Sequence, residues 1–174
     1  ATGSNVLSIA AASLTGLLNI NSALVTNVTF DGNLVPALDS VQIDTQGDVT
    51  NTLGTTLTVN NSFSVLDSAS IDLGSNAVDT LNFGTLNFNA AGTAYLTEQS
   101  DITLFGANTG TDINLTAVGV GSDVEINGTI VALEDLLVEA EGNVTQTAAI
   151  TATGLGLTVD GTTTLNSVAN NVTT

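Results

Sequence analysis

The sequence predicts an all-β protein built as a parallel β-solenoid, in which short strands stack coil upon coil. Three observations support this fold class. Apolar residues alternate with polar ones in short runs, which is typical of half-buried strands. Clusters of Gly, Asn, Asp and Ser separate the runs, and these residues suit tight corners. Two distant segments also match each other, which indicates repeated coils. A β-sandwich of the pilin type remains the alternative, because it uses similar strands and turns.

Ten short alternations define the predicted strands from Val41 onwards. The stretch from Val131 to Glu141 also permits about two helical turns, but its end, Val138-x-Ala140, alternates, and we predict a strand there. The positions expected to face the core are Val41, Ile43, Leu57, Val59, Leu81, Phe83, Ile102, Leu104, Val124, Ile126, Leu157 and Val159.

The internal match joins Gly47–Thr52 to Gly142–Thr147, at an offset of 95 residues. A second match joins Leu57-Thr58-Val59 to Leu157-Thr158-Val159, at an offset of 100 residues. Between these points the strand pairs recur at roughly 16 to 25 residues, the range expected of one solenoid coil. Stacked coils bury their apolar faces only against their neighbours, so the pattern predicts a single repetitive segment over residues 1–174.

Composition excludes most kinds of chemistry. The chain has no Lys, Arg, His, Cys, Met or Trp, so it lacks the usual general base, activated nucleophiles and oxyanion donors. We therefore predict that it is not an enzyme. A net charge of -17 opposes nucleic-acid binding, which depends on basic side chains. No apolar stretch is long enough to span a bilayer, and we predict no membrane insertion.

One acidic cluster is a candidate metal site. Asp123 and Glu125 precede Glu139 and Glu141 by 16 residues. If one coil separates the two pairs, four carboxylates stack on one outer face, where calcium would find the oxygen ligands it prefers. The simpler interpretation is a solvated acidic face without any cofactor, because the regular calcium-binding nonapeptide repeat is absent.

Ice and surface glycans are two other candidate ligands. Thr-x-Thr patterns, as at Thr145-x-Thr147 and Thr151-x-Thr153, would present hydroxyls to ice, but their spacing is irregular and Thr is a common outward strand residue. For glycans, Tyr95 and five Phe offer few aromatic rings on which sugars could stack.

Segments such as Gly142–Ala152 and Asp79–Phe88 resemble the giant β-strand-repeat exoproteins of bacteria, which are similar to filamentous-haemagglutinin-type adhesins. The resemblance covers roughly residues 41–174. It implies a right-handed parallel β-helix that serves as the shaft of a secreted protein, at the cell surface or in the extracellular matrix. It supplies no catalytic residues.

The C-terminal residues suggest how the open sheet edges of such a shaft are covered. The last residues, up to Thr174, read as part of a strand, and no polar capping segment is evident. Open sheet edges need to be covered, so we expect the partners to be further coils of the same chain or end-to-end copies of it.

Overall fold

A computed structural model describes residues 5–10, 14–22 and 26–173. These residues form twenty β-strands and no helix, and hence no helix able to cross a membrane. The first sheet contains β1 (Asn5–Ala10), β3 (Thr26–Asp31), β5 (Val49–Asn51), β7 (Ile71–Leu73), β9 (Ala94–Glu98), β12 (Ile113–Ala117), β15 (Asp135–Ala140) and β18 (Gly154–Val159). The second contains β2 (Leu17–Asn21), β4 (Asn33–Asp44), β6 (Thr56–Asp67), β8 (Thr80–Phe88), β10 (Ile102–Leu104), β13 (Val124–Ile126), β16 (Val144–Gln146) and β19 (Thr163–Thr164). The third contains β11 (Ala107–Gly110), β14 (Thr129–Ala132), β17 (Ile150–Ala152) and β20 (Asn171–Val172).

Strand pairing within the described residues is parallel throughout, which confirms the β-solenoid. In the first sheet Val28 pairs with Val49, Val49 with Ile71 and Ile71 with Ala94. Partners lie 19 to 23 residues apart along this sheet, which agrees with the predicted coil length. The pilin-type sandwich is wrong, because it requires antiparallel neighbours. The segment between Val131 and Glu141 is extended, as predicted, but a bend at Leu133 and Glu134 divides it into the end of β14 and β15.

Aliphatic side chains from all three sheets fill the interior. Ten of the twelve positions predicted to face the core are buried. The other two lie on β18, where Leu157 is 39% exposed and Val159 is half-buried. Leu157 pairs with the fully buried Val138, so it faces inwards, but β18 ends the sheet in the described chain.

The long internal match does not correspond to a structural repeat. Val49 lies on β5 of the first sheet, whereas its sequence counterpart Val144 lies on β16 of the second. Conversely, Leu57 lies on β6 of the second sheet, whereas its sequence counterpart Leu157 lies on β18 of the first. An inward aliphatic residue followed by an outward Thr suits any face of a solenoid, so sequence similarity does not assign a segment to a particular sheet.

The cross-section of the solenoid changes near β9 and β10. The second sheet has long strands in β4 and β6, of 12 residues each, but only three residues in β10. β10 continues the C-terminal half of β8, through the pair Leu86 and Leu104. The N-terminal half of β8 is instead met by the end of β9, where Gln99 N–H donates to the Leu81 carbonyl at 2.9 Å. The wide N-terminal coils enclose three contacting aromatic rings, those of Phe30, Phe63 and Phe83.

Candidate functional site

The four carboxylates of the predicted metal site do not form one stack. Glu125 lies on β13 in the second sheet, between Thr103 and Thr145. Glu139 lies on β15 in the first sheet, between Thr116 and Thr158. The expected separation of one coil is wrong, because the strands that carry the two residues follow each other around the same coil and belong to different sheets.

Across the part of the chain that the structure describes, no group of three or more acidic residues is arranged to hold a metal ion. Calcium binding by Asp123, Glu125, Glu139 or Glu141 stays a prediction, since no bound ion tests it.

Asp123 instead belongs to a ladder of side chains at the corner that leads into the second sheet. Asp101 Oδ1 accepts a hydrogen bond from the backbone N–H of Asp123 at 2.9 Å. Asp123 Oδ1 accepts from the N–H of Asn143 at 2.5 Å and from its Nδ2 at 3.0 Å. Asn143 Oδ1 accepts from the N–H of Thr162 at 2.9 Å. Each corner side chain thus accepts a hydrogen bond from a backbone N–H group of the next coil. A backbone N–H group that is shielded from water needs such an acceptor.

Replacing Asp123 with Ala should lower the free energy of unfolding by about 1–3 kcal/mol, because two hydrogen bonds to Asn143 are lost. Asp123→Asn keeps the acceptor and removes a charge that lies next to Asp101, so it should be neutral or stabilising. Urea unfolding of both variants makes the comparison, and Glu125→Ala, on the exposed face of β13, is the matched control. Equal losses for the Ala and Asn variants would contradict the ladder.

Asp79 is a buried carboxylate that joins the turns of two coils. Its Oδ1 accepts from the N–H groups of Gly54 at 2.7 Å and Thr55 at 3.0 Å. Its Oδ2 accepts from Asn51 Nδ2 at 2.8 Å and from the N–H and Nδ2 of Asn76, both at 3.3 Å. Burial acts to raise the pKa of Asp79, but the hydrogen bonds from the Asn51 and Asn76 side chains and from the N–H groups of Gly54 and Thr55 outweigh it, and the pKa lies below its ordinary value. Asp79 therefore stays ionised and fixes both turns.

Glu98 is also buried, at the place where the cross-section changes, but its carboxyl group accepts fewer hydrogen bonds than that of Asp79. It ends β9 pointing into the core, is 1% exposed, and pairs in register with Ala117. Its Oε2 accepts from the N–H of Phe83 at 2.7 Å and from Ser100 Oγ at 3.4 Å, while Oε1 has no hydrogen-bond partner within the described part of the chain. Burial, with a smaller contribution from the charge of Asp101, raises the pKa of Glu98 to about 8. The side chain thus satisfies an N–H group of β8 outside the part of that strand, at Leu86, that pairs with β10.

A shallow groove of about 540 Å³ runs across the outer face of the first sheet, over β9, β12, β15 and β18. The outward residues Tyr95, Asn114 and Leu137 occupy successive coils of one column. Gly156 continues the column without a side chain, which leaves the groove open at that coil. Asp112 and Asp135 line one side, at the corner that leads into the sheet.

Sequence reasoning missed Glu98, Asp79 and the groove. The signal for Glu98 was present, because the alternation Ala94, Leu96, Glu98 places its carboxylate inside. The groove depends on register, which brings Tyr95 and Leu137 into one column although they are far apart in sequence.

Comparison of the chain with protein-family models, with curated proteins and with solved structures finds no match.

Proposed function

We propose that this chain is a segment of a structural shaft or filament in a secreted, adhesin-like protein of the bacterial cell surface or extracellular matrix. The observation that supports this proposal is the uninterrupted stack of parallel strands around one aliphatic core. Such a stack provides length and a repetitive outer surface, since each coil contacts only its neighbours.

A non-catalytic role fits the residues that are available. Every titratable side chain except Tyr95 is an Asp or a Glu. Asp79 and Glu98, whose pKa values depart from the ordinary ones, are buried and accept hydrogen bonds from backbone N–H groups, and neither lines the groove over the first sheet.

The coil that contains β18 carries apolar surface that a neighbouring coil would cover. Leu157 faces the core direction yet is 39% exposed, and Leu155 and Val159 are only partly buried against the core. A further coil, from the same chain or from a second copy, would bury these side chains at about 25 cal/mol per Å² of apolar surface. The expectation about the end rested on a strand over Val172, Thr173 and Thr174: Val172 does end β20, whereas Thr174 lies outside the described residues.

Sedimentation velocity over a hundredfold range of concentration tests end-to-end stacking. We expect species that grow with concentration, because a head-to-tail contact does not close. Leu157→Lys places a charge on the end coil and should leave the protein monomeric over that range. Leu133→Lys, at an outward position that is 68% exposed, is the control and should assemble like the parent chain. A parent chain that stays monomeric at every concentration would contradict stacking between copies.

The alternative is a module that binds ice or glycans. Ice binding is less well supported, because the outward column of Thr97, Thr116 and Thr158 is interrupted by the carboxylate of Glu139. An uncharged, regular hydroxyl array would be needed to match an ordered water lattice.

A further inference from the structure

We propose that the groove on the first sheet binds a basic, extended segment of a partner protein, one Lys or Arg side chain of which lies along Leu137 towards Asp112 and Asp135. The proposal goes beyond the shaft function, since it assigns a binding surface to one part of the shaft.

The shape of the groove suits a long side chain with a charged end. Tyr95 is 42% exposed and Leu137 is half-buried, so both present apolar surface that a Lys or Arg stem can cover. Tyr95 also offers an aromatic face, to which a cation is attracted. A Cβ on Gly156 would lie 2.9 Å from Leu137 Cδ1, so the space beside Leu137 exists because position 156 has no side chain.

The charges at the groove have no counterpart in this chain. Asp112 and Asp135 occupy corresponding corners of neighbouring coils, where Asp112 Oδ1 accepts from the N–H of Asp135 at 3.3 Å. Among the described residues, no group donates a hydrogen bond to the Asp135 carboxylate. One coil before Tyr95, the Oδ1 atom of its register partner Asp72 is shielded from solvent and has no hydrogen-bond partner in the residues that the structure describes.

Charge complementarity selects the occupant. The chain has 17 acidic residues and no Lys, Arg or His, so no side-chain ion pair can form within it. A basic ligand is attracted by this field and an acidic one is repelled. A neutral glycan would use Tyr95 and the hydrogen-bonding groups but would leave the carboxylate charges uncompensated, so the observations favour the basic peptide.

Tyr95 supplies a specific readout, because it is the only Tyr and the chain has no Trp. The probe is a twelve-residue peptide of alternating Lys and Ser, which is itself non-fluorescent. Titration at moderate ionic strength should change the Tyr95 emission saturably. The same peptide with Glu in place of Lys, and maltohexaose, should leave the emission unchanged.

Two double variants distinguish peptide binding at the groove from attraction of the peptide to the overall negative charge of the protein. Asp112→Asn with Asp135→Asn keeps the shape and the acceptor of Asp112, and should weaken peptide binding about fivefold, as expected for two partly exposed ion pairs. Asp67→Asn with Glu125→Gln removes the same number of charges from exposed positions in the second sheet, and should leave the affinity within about twofold of the parent. Gly156→Val, which fills the groove, should weaken binding as well.

Three results would overturn the proposal. Equal weakening by the two double variants would mean non-specific attraction to an acidic surface. A response to maltohexaose in place of the Lys peptide would identify a glycan site. No response of Tyr95 to any probe would mean that the groove does not bind ligands of these classes.

Discussion

Replacing Glu98 with Gln should make the protein more stable at pH 8 and should remove most of the dependence of its stability on pH between 5 and 8. The pKa of Glu98 is raised to about 8 in the folded chain, against an ordinary value of about 4.3 in an unfolded one. Within this interval the unfolded chain releases the proton and the folded chain retains it. The free energy of unfolding therefore falls as pH rises, by about 1.4 kcal/mol per unit, and levels off above the folded pKa.

The loss between pH 5 and pH 8 is on the order of 4 kcal/mol, a large fraction of the stability of a typical domain. The amide that replaces the Glu98 carboxyl in this variant carries no titrating proton, and its oxygen can still accept from the N–H of Phe83. The chain also has no His or Cys, the side chains whose ordinary pKa values lie closest to this interval.

Urea unfolding at several pH values between 5 and 9 measures the effect. Glu125→Gln, which removes an exposed carboxylate from β13, is the control and should retain the slope of the parent chain. A parent chain whose stability does not change over this interval would contradict the burial of Glu98 at the junction.

Gly74→Ala should be among the most destabilising single substitutions of a small residue in this chain. Gly74 has φ of +77°, and a Cβ there would lie 2.3 Å from the carbonyl oxygen of Thr97 in the next coil. The substitution therefore adds a backbone clash between coils to the cost of a left-handed conformation, which is about 1–2 kcal/mol for an L-residue.

Gly121→Ala isolates the conformational part of this cost. Gly121 has nearly the same φ, +74°, but a Cβ there has no atom within 4 Å. We expect Gly121→Ala to cost about 1–2 kcal/mol and Gly74→Ala at least about twice as much, since Thr97 has to move. Denaturant unfolding of both variants makes the comparison. Equal costs would mean that the coils are not packed as closely as the structure shows.

The sequence predicts the local strands but does not predict which sheet each strand joins, for a physical reason. An alternation such as Val124-x-Ile126 indicates that one side of a strand is buried. Strands in every sheet of a solenoid share this alternation. It does not report which sheet the strand joins, so the match between Val49 and Val144 suggested a repeat that the fold does not contain.

The acidic residues show the same limit. Glu125 and Glu139 were expected to stack because they lie about one coil apart in sequence, but β14 lies between their strands along the chain and the two strands belong to different sheets. Tyr95 and Asp135 were not expected to share a groove, because only the register of β9, β12 and β15 brings them together. Coil lengths vary along the chain, so sequence separation alone does not predict which side chains lie above one another.

Parallel, in-register stacking of coils underlies the proposed shaft, the corner ladder and the groove. The natural chain has no Cys, so engineered disulfides can test this stacking without background. Thr103 and Glu125 are register partners on β10 and β13, and Glu125 is in turn the partner of Thr145 on β16. Neighbouring strands lie about 4.8 Å apart, within the Cα separation that a disulfide spans, whereas residues two coils apart exceed it.

The decisive measurement is the rate and extent of disulfide formation in two double variants under the same mild oxidant. Thr103→Cys with Glu125→Cys should form an intramolecular disulfide rapidly and completely. Thr103→Cys with Thr145→Cys should remain reduced. Failure of the first pair, or equal oxidation of both, would contradict the parallel solenoid and the functions proposed from it.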